Sequence, residues 1–166
     1  MKIIFLGFLF MVSACGFSPL YLSGSETVTR QTSAVEIKPI ADYEGALLYG
    51  YLSDALNPEK MNIPKKYELV VVLNAPIVSE QNIQDDNFSS RERLITTAEY
   101  RLIDKKTRSV LIHTSASATG AYNIAVEPYA TWMAEKKVQQ NLIKMLAEQI
   151  TMHIVSFVKK EAENEG

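Results

Sequence analysis

The sequence predicts an α+β sandwich, a single four-stranded β-sheet with two α-helices packed on one face, in the order β-α-β-β-β-α. Three observations predict it. Residues Arg93 to Ile103 and Val110 to Ala121 flank the polar turn DKKTRS, and the first of them alternates cleanly between apolar and polar side chains, which is the pattern of a β-hairpin. Residues Tyr43 to Asn57 and Pro128 to Lys160 repeat apolar residues at helical spacing. The elements follow one another in an order that one sheet with helices on one side can accommodate.

Each element has a local reason. In Ala34 to Ile40, apolar Val35 and Ile37 alternate with charged Glu36 and Lys38, as in a half-buried strand, and Pro39 marks its end or a sheet edge. The stripe Leu47, Leu48, Tyr51, Leu52, Ala55 and Leu56 predicts the first helix, stopped by Asn57-Pro58. YELVVVL, from Tyr67 to Leu73, is a nearly continuous apolar run, expected of a central strand buried on both faces. Ala75 to Ser90 is polar and reads as a long exposed loop. In the hairpin, Leu94, Ala98, Tyr100 and Leu102 share one face and Thr97, Glu99 and Arg101 the other. Pro128 suits a first helical turn, because its missing donor would have no partner there. Trp132, Val138, Leu142, Met145, Leu146, Ile150, Ile154 and Phe157 are the expected buried side of that last helix.

The first residues carry an address. MKIIFLGFLFMVSACG has one cation at Lys2, an uncharged run from Ile3 to Val12, and then small residues up to Cys15. That run is too short for a bilayer core, which needs about 20 apolar residues, and it reads as a secretory signal peptide. Val12-Ser13-Ala14-Cys15 matches a lipoprotein signal, in which the cysteine becomes the mature N-terminus and the lipid attachment site. The expected organisation is a signal peptide over 1–14, a lipidated N-terminus and tether over 15–33, a domain over 34–160 and a charged tail over 161–166. Gly16, rather than an aspartate, follows the cysteine, and outer-membrane delivery is the expectation by analogy.

Composition narrows the function. The 166 residues include 17 basic and 19 acidic side chains, a net charge of −2, which speaks against general nucleic-acid binding. Two histidines and one cysteine are too few for a zinc or iron–sulfur centre, and no cofactor is expected. No nucleophile elbow, Walker loop or dinucleotide fingerprint occurs. His113 lies two and four residues from Ser115 and Ser117, which is side-by-side placement in one strand with no acid to orient the imidazole. His153 reads as a boundary residue of the last helix, and Asp85 with Asp86 as loop solvation. The chain is therefore expected to have no catalytic residues. Its basic groups are more informative: Arg91 and Arg93 open a strand, while Lys105, Lys106 and Arg108 occupy the hairpin turn. They should form two patches able to meet phosphates, or else simply solvated strand ends that discourage edge pairing.

Several segments together resemble a known family. Cys15-Gly16-Phe17 followed by Pro19-Leu20-Tyr21 is similar to the opening of LPS-assembly lipoproteins, the LptE (RlpB) family. Ala98 to Asp104, AEYRLID, resembles that family's central hairpin. Tyr122-Asn123, Pro128-Tyr129-Ala130, Ala134-Glu135, Asn141-Leu142 and Leu146 to Ile150 resemble its lead into the last helix. One departure is Lys136 to Gln140, where relatives often carry a small residue and then an arginine; no ligand role is carried onto this stretch. The resemblance implies an outer-membrane lipoprotein that faces the periplasm, plugs and helps assemble the LptD β-barrel translocon one to one, and takes part in lipopolysaccharide transport. Arg91, Arg93, Lys105, Lys106 and Arg108 would then meet lipopolysaccharide phosphates. Two other readings differ in their observables. An auxiliary lipoprotein of another lipid-transport or cell-wall synthase complex would retain a different partner, and a periplasmic hydrolase would depend on His113.

Overall fold

The computed structural model describes residues 25–81 and 91–164. The expected signal peptide, Cys15, Asp85, Asp86 and the first part of the expected tether lie outside the described residues. The elements are α1 (Ser25–Ser33), β1 (Val35–Ile37), α2 (Asp42–Leu56), β2 (Tyr67–Leu73), β3 (Ile77–Gln81), β4 (Arg91–Asp104), β5 (Val110–Asn123) and α3 (Pro128–Asn164). The predicted α+β class is what forms.

The sheet has five strands in four positions. β1 pairs parallel with β2, which the α2 crossover permits, and every other pair is antiparallel. β2 and β3 pair one after the other with the same side of β4, through Leu73↔Ala98 and Ile77↔Ile95. β5 pairs along the whole of β4's other side. β3 falls inside the expected loop over Ala75 to Ser90, and that expectation is corrected. Pro76 hides the strand: three residues, Asn74 to Pro76, stand opposite only Thr96 and Thr97, so the alternation inverts across the break. Ile77 consequently shares a face with Ile95, although Leu73 shares one with Ala98.

One sheet face carries the core. Leu94, Thr96, Ala98, Tyr100 and Leu102 of β4 are buried together with Tyr67, Leu69 and Val71 of β2. Against them pack Leu48, Leu52 and Leu56 of α2 and Leu142, Leu146, Ile150, Ile154 and Val158 of α3. The helix α2 comes very close to the chain before it, since a Cβ on Gly45 would stand 2.8 Å from Ile40 Cγ2. The helix α3 sits equally low over β5, where a Cβ on Gly120 would stand 2.7 Å from Val138 Cγ1. A side chain at Gly45 would also press on the Ile40 backbone at 3.0 Å, whereas one at Gly120 would require the Val138 side chain to shift.

Four further expectations are corrected. β2 is buried on one face only, because both helices lie on the same side; Val72 is 55% exposed. Residues 25–33 of the expected tether are helical and part of the domain: Thr32 and Ser33 are buried, and Lys65 Nζ donates to the Ser33 carbonyl at 2.6 Å. The expected tail is helical as far as Asn164, which makes α3 37 residues and roughly 55 Å long. The buried stripe of α3 is also rotated from the expected one: Trp132 and Met145 are half exposed, while Ile143, Ala147 and Val158 are in the core.

Candidate functional site

The other sheet face is covered by no described element. Odd-numbered residues of β4 point onto it, and the pairings place Val70, Arg101 and His113 in one row and Val72, Glu99 and Ser115 in the next. Ile95, Thr97, Ser117 and Thr119 continue the surface upward, and Ser117 accepts a hydrogen bond from the Thr97 hydroxyl at 3.4 Å. An open face of short hydroxyl side chains, a few valines and isolated charges is well suited to water or to a polar wall.

The basic residues singled out from sequence fall at opposite ends of this face. Arg91 and Arg93 are exposed at the start of β4, where they pair with Gln81 and Ser79 on one side and with Asn123 and Ala121 on the other. The turn between β4 and β5 carries Lys105, Lys106 and Arg108, roughly 40 Å away at strand rise. They are two patches, as the sequence predicts. Asp104 builds the turn: its carboxylate accepts from the backbone N–H groups of Lys106 at 2.8 Å and Thr107 at 2.7 Å, and Arg108 takes the left-handed region with φ 62°. The backbone donors, Thr107 first, hold the Asp104 carboxyl below its ordinary range.

Lys105 is exposed like Lys106 and Arg108, but its ammonium is engaged by an ion pair. Its Nζ donates to Glu36 Oε2 at 2.5 Å, while Lys38 Nζ donates to Glu36 Oε1 at 2.8 Å and lies 3.2 Å from Glu68 Oε2. The network ties β1 to the far end of the hairpin, and sequence reasoning could not see it because 69 residues separate the partners. The Lys105 and Lys38 hydrogen bonds hold the Glu36 carboxyl down at about 2. Since the folded value is lowered, the stabilisation is complete above the ordinary carboxylate value and is lost as pH falls through about 2. Glu36→Gln should therefore be less stable than the parent at neutral pH and converge on it toward pH 2, as read by urea unfolding at a series of pH values. A gap that stayed constant down to that pH would mean that the charge contributes nothing.

Sequence reasoning passed over two buried tyrosines. Tyr100 hydroxyl and His153 Nδ1 are hydrogen-bonded at 2.7 Å, joining β4 to α3, and burial pushes the tyrosine's pKa up. Tyr122 hydroxyl donates to Glu92, and burial first, with that carboxylate next, raises its pKa. Tyr100 reads from sequence as an ordinary apolar-face residue and Tyr122 lies just past the expected strand end; only tertiary contact supplies the partners. A third feature, the exposed cluster of Val126, Tyr129, Trp132 and Met133 at the start of α3, was hidden because Trp132 matches the helical period.

His113, Ser115 and Ser117 share the exposed face without a hydrogen bond among them in the described residues. A cleft of about 40 Å³ among α1, β2 and α3, lined by Gln31, Tyr67 and Val158, is far below the roughly 300 Å³ of small-molecule sites. No three His, Cys, Asp or Glu side chains among the described residues are grouped to hold a metal ion. What the described residues present is surface: a sheet face and a strand edge that no described element covers, and two basic ends.

No family model matches the chain, and no curated protein matches its sequence. Solved structures do match. A candidate lipoprotein from Caulobacter crescentus CB15 is 21% identical with a TM-score of 0.64, over 81% of this chain and 97% of its own. Rare lipoprotein B from Shewanella oneidensis is 11% identical with a TM-score of 0.56, over 80% of this chain and 98% of its own. A candidate homologue of a neuraminyllactose-binding hemagglutinin from Helicobacter pylori is 13% identical with a TM-score of 0.52, over 78% and 85% respectively. At such identities the likeness establishes a shared fold, and lipoproteins are among the proteins that share it.

Proposed function

We propose that this chain is a lipoprotein of the LPS-assembly type, anchored to the outer membrane through Cys15, whose domain plugs and helps assemble an LptD-like β-barrel translocon and takes part in lipopolysaccharide transport. It performs no chemistry in this reading. The observation that carries it is the likeness to rare lipoprotein B, which extends over nearly the whole of that protein. The lipoprotein signal ending at Cys15 supports the address.

Physical fit supports the role. The lumen of a large outer-membrane barrel is polar, and an unfilled one leaks. A sandwich whose second face is open and largely hydrophilic can sit against such a wall without burying unpaired polar groups. In this reading the two basic ends meet anionic lipid headgroups passing the plug, and arginine can grip a phosphate with two parallel hydrogen bonds.

A pull-down of the tagged, full-length protein from detergent-solubilised envelopes tests the reading. A large outer-membrane β-barrel should co-purify in equimolar amount; recovery of an inner-membrane transporter or a synthase in its place would sink it. The ligand role has its own test, in which Arg91 and Arg93, or Lys106 and Arg108, are reversed to glutamate. Lipopolysaccharide affinity should fall by about tenfold or more in at least one variant, the loss expected of a charge-assisted hydrogen bond. Unchanged binding in both would end the phosphate role. Lys105 is left out because its reversal would break the Glu36 network.

A further inference from the structure

The outer edge of β5 is left open by the described elements. No described strand pairs with it, and its 14 residues contain no Asp, Glu, Lys or Arg. Native sheets normally protect an edge of this length with charges, proline or a covering element.

The direction of its free groups follows from the pairing. Thr97 turns its carbonyl toward Asn74 N, 2.9 Å away on the β2 side, so Thr97 and Ser117 are a non-hydrogen-bonded pair and the backbone groups of Ser117 face away from β4. By the two-residue period, His113, Ser115, Thr119 and Ala121 present N–H and C=O outward as well. One feature guards the middle: Gln149 Nε2 donates to the Ser117 carbonyl at 3.3 Å. On α3, Met145 and Met152 lie four residues before and three after Gln149, hence on the same side of the helix, and they are 42% and 61% exposed. Along the free edge there is thus a shelf of two methionines, an adaptable apolar surface.

We infer that this edge is a strand-addition site that takes an extended, uncharged polypeptide segment of another protein, with an apolar side chain at every second position resting on Met145 and Met152. The added strand's main chain pairs with the outward groups of β5, and its polar alternate side chains continue the row of Ser115, Ser117 and Thr119 on the open face. The absence of charge along β5 selects an uncharged partner. A second copy of this chain does not fit, since it would bring its own α3 with it. Helices seated on strands ~4.8 Å apart fall short of the 8–10 Å that packed helices need. The inference goes beyond the plug reading and does not rest on it.

Hydrogen exchange on the full-length protein in detergent tests it, with a capped synthetic peptide of alternating Val and Thr, kept soluble by terminal lysines, as the probe. At saturating peptide the amides of His113, Ser115, Ser117, Thr119 and Ala121 should slow by about tenfold or more, while Thr114, Ala116 and Ala118, already facing β4, stay unchanged. Ser115→Pro removes one outward donor and leaves the β4 ladder intact, and should weaken the peptide by about tenfold. Met145→Lys with Met152→Lys, both on an exposed helix side, should weaken it without altering the fold. Absence of the alternating protection overturns the inference. So does the same protection arising without peptide as protein concentration rises, because the occupant would then be a second copy.

Discussion

Cys15→Ser, placed behind an ordinary cleavable secretory signal, is expected to move the protein from the membrane fraction to the soluble periplasm. In the parent, the thiol would carry a diacylglycerol and the new amine a third acyl chain. At ~0.8 kcal/mol per buried methylene, three chains make the anchor effectively permanent, whereas a single chain binds only marginally. No described helix is long and apolar enough to hold the protein in a membrane by itself, so loss of the lipid should be close to all-or-none. Cell fractionation and intact-mass measurement read the result together. The parent should carry added lipid mass and the variant none, with the same thermal unfolding midpoint, because the core begins at Val35. A parent of bare polypeptide mass would remove the lipoprotein assignment and leave the fold untouched.

Leu146→Ala should cost about 2–5 kcal/mol of stability, from lost transfer energy and from the cavity left behind. Leu146 is fully buried midway along α3, in the cluster that joins that helix to α2 and to the sheet. A domain of this size has about 5–15 kcal/mol in total, so at mid-range values the variant should lose about a third of it. The neighbour Met145 gives the control: Met145→Ala, at a half-exposed position, should stay within about 0.5 kcal/mol. Urea unfolding of both variants measures the difference. Equal losses would mean that α3 is rotated from the orientation described, and the methionine shelf beside β5 would fall with it.

The hairpin was legible in the sequence because its determinants are local. Alternation sorted Leu94, Ala98, Tyr100 and Leu102 from Thr97, Glu99 and Arg101, and an aspartate that bonds its own turn closed the loop. Pro128 and Asn57-Pro58 marked helix ends for equally local reasons. β3 was missed because Pro76 disguises it and because its side chains are exposed on both faces, which removes the periodic signal. The helix α1, SETVTRQTS, has little apolar character to announce it, and its buried end is a threonine and a serine held by the rest of the fold. Of the candidate site, the grouping of the basic residues into two patches followed from strand length, and the capture of Lys105 by Glu36 did not.

The sequence by itself determined the α+β class, the hairpin with its two faces, and the places where the first long helix stops and the last one begins. These depend on contacts a few residues apart, where side-chain type and backbone preference act directly. Only the tertiary structure decided that both helices cover the same face, that β2 buries Val71 but leaves Val72 exposed, and that no described strand covers the far edge of β5 beside Met145 and Met152. Alternation gives a sheet two chemically distinct faces, but which face or edge is covered depends on how distant helices share one core. That choice is made by burial summed over the whole domain and not by any single segment.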